Sequence, residues 1–174
     1  MSSENPTSAD NQQERPDFEQ WIVGFVDGEG CFSISVVRNR TCRLGWQVQH
    51  EFSVSQTSSH IGVLEEVAGR FGCGTVIVNR RHDNHREAMA RFSVKRRRDL
   101  VDVVVPFFEE HPLKIKTSYF ELFRSVLQLM EARRHLEPEG LTEIALLTER
   151  MNRKGRSRYL ESSEAIRQLS HHRR

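Results

Sequence analysis

The sequence has few of the features that mark secreted or membrane proteins. It contains only three cysteines, and no two of them form a C-x-x-C pair. A disulfide framework or a cysteine-bound zinc is therefore not expected, and we predict an intracellular, reducing location, a bacterial cytoplasm or an organelle, without secretion. The longest apolar run, around residues 103–108, is far shorter than the roughly 20 residues of a spanning helix. No signal peptide is visible, so we expect no membrane partner.

The net charge is small, and its distribution along the chain is more informative than its sum. The formal charge is +2 over 174 residues, with 26 Lys and Arg against 24 Asp and Glu. Basic residues are concentrated at 80–81, 95–98, 150–158 and 173–174. Such clusters suit a polyanionic partner, although a charged run is also typical of an ordinary solvated surface.

The length suits one domain with a substantial core. Residues 1–15 are polar, rich in Ser, Asn and Gln, and show no periodicity, so we predict a disordered leader there. Residues 16–174 are predicted to form a single domain, with a basic loop at 153–158 and a flexible tail at 171–174.

One stretch, W-I-V-G-F-V-D-G-E-G at residues 21–30, organises the rest of the chain. It begins as an amphipathic helix for which Asp17 can act as the N-cap. Gly24 lies in mid-helix, where glycine costs roughly 0.5–1 kcal/mol relative to alanine and makes sense if another backbone approaches closely. Gly28 and Gly30 are predicted to end the helix and to turn the chain into a strand.

Two acidic residues, Asp27 and Glu29, stand at the predicted end of this helix. A helix C-terminus already carries partial negative charge, so two carboxylates there raise the local negative potential. A divalent cation would compensate for this charge, because hard cations such as magnesium take oxygen ligands from carboxylates and backbone carbonyls. The alternative is an ordinary core helix that ends in a D-G turn, with both acids in solvent.

The remaining periodicity predicts an α+β fold with the order αββαββα, followed by C-terminal helices. Alternation of apolar and polar residues predicts strands at 31–37, 46–56, 75–80 and 88–95. Helical spacing predicts helices at 61–71, from 97 or 98 to 108, and at 117–134, 141–151 and 162–169.

One face of the first predicted hairpin has an unusual polar composition. Gln47, Gln49, Glu51 and Ser53 share this face, which is richer in amides and hydroxyls than in Lys and Glu. Amide side chains pair with adenine edges, hydroxyls serve several bases, and a two-stranded ribbon fits the DNA major groove. A merely hydrophilic sheet surface is the alternative.

The motif V-G-F-V-D-G-E-G, with the alternating strand residues that follow it, resembles the signature of the LAGLIDADG homing endonucleases. The element order over most of residues 17–169 is similar to that of the single-motif, homodimeric branch of the family. The resemblance implies a curved, four-stranded antiparallel sheet that lies in the DNA major groove. It also implies that the motif helices of two subunits pack together, here through Trp21, Gly24 and Phe25.

The resemblance assigns roles to individual residues. Glu29, the last acid of the motif, would bind the catalytic metal beside the Gly28 carbonyl. The segment F-S-V-S-Q places Gln56 where the family orients active-site water, and L-K-I-K places Lys116 as the active-site lysine, with Lys114 as the alternative. The implied cofactor is Mg²⁺, with Mn²⁺ as a substitute and Ca²⁺ as an ion that binds without supporting cleavage. Many relatives have Asp where this chain has Glu29.

The implied activity is metal-dependent cleavage of both strands of a long, near-palindromic double-stranded DNA site, which promotes the mobility of an intron or intein. One motif per chain makes one carboxylate site, so a homodimer is implied. The predicted contacts on the sheet and its loops are Ser33, Ser35, Val37, Arg38, Arg40, Gln47, Gln49, Glu51, Ser53, His60, Thr75, Ile77, Asn79, Arg80, Arg91 and Ser93. Predicted phosphate contacts from the basic loop are Arg153, Lys154, Arg156 and Arg158.

Three other interpretations remain open from the sequence. A catalytically inactive DNA-binding or intron-splicing relative would keep the fold without the metal chemistry. An HNH-type nuclease is suggested by His82, Asp83, Asn84 and His85, but these residues lie in a predicted tip loop without the strand-to-helix context of such a site. A transcriptional or structural dimer would use the sheet for binding alone, without metal dependence.

Overall fold

The computed structural model describes residues 17–79, 88–151 and 157–162. The first half of the chain alternates helices and hairpins. Helix α1 (Phe18–Glu29) is followed by strands β1 (Gly30–Arg38) and β2 (Trp46–Thr57). A 3-10 turn (Ser58–His60) leads to helix α2 (Ile61–Phe71), and strands β3 (Thr75–Asn79) and β4 (Met89–Val94) complete the αββαββ order.

A helical stretch follows the second hairpin, made of α3 (Arg97–Asp99), a π-helical turn (Leu100–Val104) and α4 (Val105–Glu110). The widened turn precedes Pro106, which has no N–H to donate to the preceding turn and whose ring needs room there. The last helices are α5 (Thr117–Glu131), a 3-10 turn (Arg134–Leu136) and α6 (Pro138–Met151). The helix predicted at 162–169 falls almost entirely outside the described residues. None of the helices in the described part of the chain is both long and apolar enough to cross a membrane.

The four strands form one sheet in the order β1-β2-β4-β3, and all neighbours are antiparallel. β1 pairs with β2 along its whole length, from Gly30 opposite Val54 to Arg38 opposite Trp46. The two hairpins meet where β2 pairs with β4, so β3 forms one edge of the sheet and β1 the other. The predicted α+β class and its four-stranded antiparallel sheet are confirmed.

The core lies between one face of this sheet and the helices. Phe32 of β1 stacks on Phe52 of β2 at 5.1 Å between ring centroids. The same ring contacts Phe108, Phe120 and Phe123 on the helices at 5.4–5.5 Å. Aromatic pairs of this kind contribute roughly 0.5–1.5 kcal/mol each beyond the burial of their surface. The cluster fixes α5 against the strand that leaves α1, and so sets the distance between two elements that supply the candidate site.

Helix α1 begins as predicted and ends differently. The Asp17 side chain accepts a hydrogen bond from the Glu19 N–H at 3.1 Å and caps the helix. Gly28 does not end the helix, which continues through Glu29. Gly30 then has an extended backbone with φ −73°, so no left-handed turn is made there. A Cβ on Gly30 would lie 2.5 Å from Val26 Cγ1, so close packing explains this glycine.

Replacing Gly30 with alanine should therefore destabilise the fold. The added methyl would overlap Val26, and overpacking of this kind costs about 1–3 kcal/mol. Gly69→Ala is a matched control, since Gly69 lies in α2 with no atom within 4 Å of an added Cβ and should be neutral or stabilising by roughly 0.5–1 kcal/mol. Chemical denaturation of both variants measures the difference. Equal midpoints for the two variants would contradict this explanation of Gly30.

Candidate functional site

The two acids at the end of α1 lie in different environments. Asp27 is buried, with 8% of its surface exposed, whereas Glu29 is exposed to solvent. The two residues are separated by two positions, and at 3.6 residues per turn this spacing sends their side chains to nearly opposite sides of the helix. The expectation that both carboxylates add to one patch of negative potential is therefore corrected, and Glu29 alone faces the solvent.

Asp27 is hydrogen-bonded to a distant segment of the chain. Its Oδ2 accepts from the Lys114 N–H at 2.8 Å, and its Oδ1 accepts from the N–H groups of Ile115 and Lys116 at 3.1 and 3.0 Å. Burial by itself would raise the pKa of this carboxyl. The three backbone hydrogen bonds outweigh burial and hold the pKa below its usual value. Asp27 is therefore an ionised, fully engaged group that ties the end of α1 to the start of α5.

Lys116, the predicted active-site lysine, has its ammonium at the end of α1. Its Nζ donates to the carbonyl oxygens of Val26 at 3.0 Å and Gly28 at 2.9 Å. These carbonyls belong to the last turn of the helix, whose partial negative charge attracts a cation. Lys114, the predicted alternative, instead contributes its backbone N–H to Asp27 and has an exposed side chain.

Gln56 lies at the end of β2 that is nearest to the end of α1. Val54 pairs with Gly30, the residue that directly follows α1, and Gln56 is two positions farther along the strand. The side chain is half-buried, and its Oε1 accepts from the Thr57 N–H at 3.1 Å. The strand therefore presents the Gln56 side chain on the same face as Val54, at the end of the sheet nearest α1.

The atoms at the end of α1 are suitable for a hard divalent cation. They are the exposed carboxylate of Glu29 and the carbonyl oxygen of the exposed residue Gly28. The same carbonyl accepts a hydrogen bond from the positively charged Lys116 ammonium. Magnesium prefers such oxygen ligands. Within residues 17–79, 88–151 and 157–162, no group of three or more His, Cys, Asp or Glu residues is placed to hold a metal. A single described chain thus offers a partial site.

The outer face of the sheet carries the residues that were predicted to contact bases. Cross-strand register places them in rows, and the pairs are Ser33 with Glu51, Ser35 with Gln49, Val37 with Gln47, Thr75 with Ser93, Ile77 with Arg91 and Asn79 with Met89. The exposed members of the predicted set on this face are Gln47, Gln49, Thr75, Ile77 and Asn79. A groove of about 370 Å³ runs along β1 and β2 on this face and is closed at one side by Lys95.

An ionic cluster occupies the middle of this face. The Glu51 carboxylate lies 3.1 Å from the Arg91 guanidinium and 3.8 Å from Lys95 Nζ. Arg91 also donates to Ser53 Oγ at 2.8 Å. Ser53 and Ser93, two of the predicted DNA contacts, are only 2% and 4% exposed. Alternation identified their side of the sheet, but it could not show that neighbouring side chains cover them.

Three residues on this face were missed by the sequence analysis. Lys95 lines the groove and pairs with Glu51, and its membership of the basic run at 95–98 was the available signal. Cys31 is exposed opposite Ser53, and Met89 is 40% exposed opposite Asn79. Both could have been placed by extending the two-residue alternation of their strands by one step.

The predicted basic contacts are only partly described. Arg38 is exposed and its guanidinium lies 4.7 Å from the centre of the Trp46 ring. Arg40 is exposed in the turn between β1 and β2, and Arg158 is exposed in the turn that holds Tyr159. His60 is exposed, with its Nδ1 2.9 Å from Thr57 Oγ1. Arg80, Arg153, Lys154 and Arg156 lie outside the described residues, as do His82, Asp83, Asn84 and His85.

The predicted dimer face of α1 is partly exposed and aromatic. Trp21 is 38% exposed and stacks on Phe18 at 5.6 Å and on Phe25 at 5.0 Å between ring centroids. Gly24 is exposed, and a Cβ there would meet no atom within 4 Å. Nothing in the described chain thus requires a glycine at this position, which leaves room for an approaching backbone.

A family described as LAGLIDADG endonuclease matches residues 22–127, more than half of the chain. The chain belongs to the LAGLIDADG endonuclease family. The matched span contains most of α1, the whole sheet and most of α5, so it includes Glu29, Gln56 and Lys116. The relatives found include proteins named as a homing endonuclease and as DNA endonucleases.

Three similar proteins illustrate the relationship. A probable intron-encoded endonuclease of Neurospora crassa is 31% identical over 137 residues, which are 76% of this chain and 24% of that protein. This chain therefore spans about a quarter of that relative's length. The homing endonuclease I-TnaI has a similar structure, with a TM-score of 0.72, 41% identity, and coverage of 85% of this chain and 97% of that chain. I-SmaMI, solved on an uncleaved DNA target in the presence of calcium ions, superposes with a TM-score of 0.74 and 27% identity over 82% of this chain and 47% of that one.

Proposed function

We propose that this LAGLIDADG endonuclease is an intracellular homing endonuclease that cleaves both strands of a long, near-palindromic DNA site and promotes the mobility of an intron or intein. In this proposal residues 16–174 form one domain that acts as a homodimer with Mg²⁺. The observation that carries it is the arrangement at the end of α1. There the exposed Glu29 carboxylate and the Lys116 ammonium on the Gly28 carbonyl lie at the edge of an exposed polar sheet.

Glu29 and the Gly28 carbonyl are the groups of this chain that would hold the metal. A bound Mg²⁺ supplies Lewis-acid polarisation of the scissile phosphate and lowers the pKa of a bound water. Lys116 holds a positive charge at the helix end, where it would stabilise the charge that develops on the phosphate. Gln56 offers an amide that would orient the attacking water. The longer side chain of Glu29, relative to the Asp of many relatives, changes the reach of the carboxylate by one methylene.

The number of exposed carboxylates and the face of α1 support the homodimer. A duplex has two strands, and each chain supplies one exposed acid at the end of its motif helix. The stacked aromatic side chains of Trp21 and Phe25 and the open surface at Gly24 form a patch that a two-fold axis would bury. Two-fold symmetry of the protein in turn requires a near-palindromic target.

The outer sheet face is the surface that would contact bases. Gln47 and Gln49 are exposed amides that suit adenine, and Arg91 offers a guanidinium that suits guanine. Arg38, Arg40 and Arg158 are exposed cations that would contact phosphates and make the affinity dependent on salt. Calcium in the DNA-bound I-SmaMI structure supports the use of Ca²⁺ to form a complex of this protein without cleavage.

Replacing Glu29 with glutamine should abolish cleavage while binding persists. The substrate is found by incubating a library of randomised DNA duplexes with the wild-type protein in Mg²⁺ and recovering the duplexes that it cleaves. We expect Glu29→Gln to reduce the single-turnover rate by roughly 10²–10³-fold, because a neutral amide is a poor ligand for a hard cation. Binding of the same duplex in Ca²⁺ should change by less than about threefold, since Glu29 lies outside the base-contacting rows.

Glu65→Gln is the control for this experiment, because Glu65 is an exposed glutamate of α2 away from the site. Its rate should equal that of the wild type. A Glu29→Gln variant that cleaves at the wild-type rate would contradict the assignment of the metal site. Tight, selective binding by a wild-type protein that does not cleave in Mg²⁺ or Mn²⁺ would instead support an inactive relative.

A charged residue at Gly24 should separate the subunits. Gly24→Glu places a carboxylate at the centre of the proposed interface, where burial of an unpaired charge is strongly unfavourable. Gly69→Glu is a matched control on α2, since both glycines are helical, exposed and free of Cβ neighbours. Sedimentation equilibrium should show wild type and Gly69→Glu at twice the 20.3 kDa chain mass, and Gly24→Glu at 20.3 kDa. A wild-type protein that stays at the single-chain mass on its duplex would refute the dimer.

Base contacts and phosphate contacts should respond differently to substitution. Gln49→Ala removes a proposed bidentate amide and should lower discrimination among base pairs at one position by about tenfold, without changing the salt dependence. Arg40→Ala should weaken binding to all sequences alike and reduce the salt slope by about one. Fluorescence anisotropy in Ca²⁺, with the selected duplex and its single-base variants, measures both effects. Unchanged base preference in Gln49→Ala would show that this face does not read the sequence.

A further inference from the structure

The segment that carries Lys116 is held in place by one buried side chain. Asp27 uses both carboxylate oxygens on three consecutive N–H groups, those of Lys114, Ile115 and Lys116, at 2.8, 3.1 and 3.0 Å. These three residues directly precede α5, and no side chain at the N-cap position of α5 caps that helix. A carboxylate from elsewhere in the chain thus places negative charge and acceptors on the N-cap residue Lys116 and on the two residues before it.

The same two segments are joined a second time through the lysine side chain. Lys116 Nζ returns to the carbonyls of Val26 and Gly28, the residues on either side of Asp27. Both ends of the Lys116 side chain are therefore held. Asp27 fixes the backbone of residues 114–116, and the carbonyls of Val26 and Gly28 bind the ammonium. A lysine side chain has about 2 kcal/mol of rotamer entropy, so fixing its origin matters for where its charge lies.

Asp27 is poorly placed to bind a metal ion. Both of its oxygens accept backbone hydrogen bonds, and the residue is buried, unlike Glu29. Its contribution to chemistry at the helix end must therefore pass through the segment it holds. An asparagine in its place would offer one acceptor oxygen and would turn an NH₂ group towards at least one backbone N–H, so the anchoring of residues 114–116 would be incomplete.

We propose that Asp27 is a positioning residue, which holds the backbone of residues 114–116 so that the Lys116 ammonium stays on the helix-end carbonyls beside Glu29. This inference rests on the proposed nuclease function for its effect on rate. The anchoring itself is independent of that function. The proposal assigns different tasks to the two acids of the motif, since Glu29 would bind the metal and Asp27 would position the lysine.

A double-mutant cycle with amide exchange tests the proposal in the full-length protein. The variants are Asp27→Asn, Lys116→Met and the double variant, assayed for single-turnover cleavage in Mg²⁺, binding in Ca²⁺ and exchange of the amides at 114–116. We expect Asp27→Asn to cut the rate about 10–100-fold and amide protection at 114–116 at least about tenfold. DNA affinity should stay within about threefold. In the Lys116→Met background, Asp27→Asn should lower the rate by less than about threefold, because its effect passes through the lysine.

The proposal is overturned if the amides at 114–116 keep their protection in Asp27→Asn, or if the rate losses of the two single variants multiply in the double variant. If Asp27→Asn does not fold, as judged by thermal melting, Asp27→Glu replaces it and should show smaller effects in the same directions. A wild-type protein that binds but does not cleave would remove the proposed function, and the amide exchange of Asp27→Asn would then decide the anchoring by itself.

Discussion

Three backbone N–H groups and one buried carboxylate form the interaction on which the candidate site depends. Asp27 joins segments 87 to 89 residues apart in the sequence, and it does so at the end of α1, where the chain also turns into the first strand. Without it the N–H groups of residues 114–116 would have to find other acceptors, because an unpaired backbone donor away from water is costly. The aromatic cluster around Phe32 positions α5 as a body, whereas the hydrogen bonds to Asp27 fix residues 114–116.

Helix geometry separates the two acids of the motif by function. Residues two positions apart on a helix point about 200° apart, so one faces the core when the other faces solvent. Asp27 therefore meets backbone donors, while Glu29 remains free to meet a cation. The spacing D-x-E would be poor for two ligands of the same ion, and it is well suited to one structural and one exposed carboxylate. Gly30 completes the arrangement, because only a residue without Cβ can pass Val26 at this distance.

Much of this architecture could be predicted from local pattern. Two-residue alternation placed the strands and the outward residues Gln47 and Gln49, because the period of a strand is fixed by its backbone. The motif itself predicted α1 and the exposed acid. What could not be predicted depends on contacts between distant segments. The partners of Asp27, the burial of Ser53 and Ser93, and the steric role of Gly30 all arise from neighbours that become adjacent only in the folded chain.

Glu51 illustrates how one negative charge can be useful on a surface that we propose to bind a polyanion. By itself it would repel phosphates, but it lies between Arg91 and Lys95 and pairs with both. The pair with Arg91, together with the hydrogen bond to Ser53, limits the orientations of a long side chain before any DNA arrives. A pre-oriented guanidinium loses less entropy on contact with a base, and a partly neutralised face attracts arbitrary DNA less strongly. In the proposed complex the cluster would weaken general electrostatic attraction and favour contacts that depend on sequence.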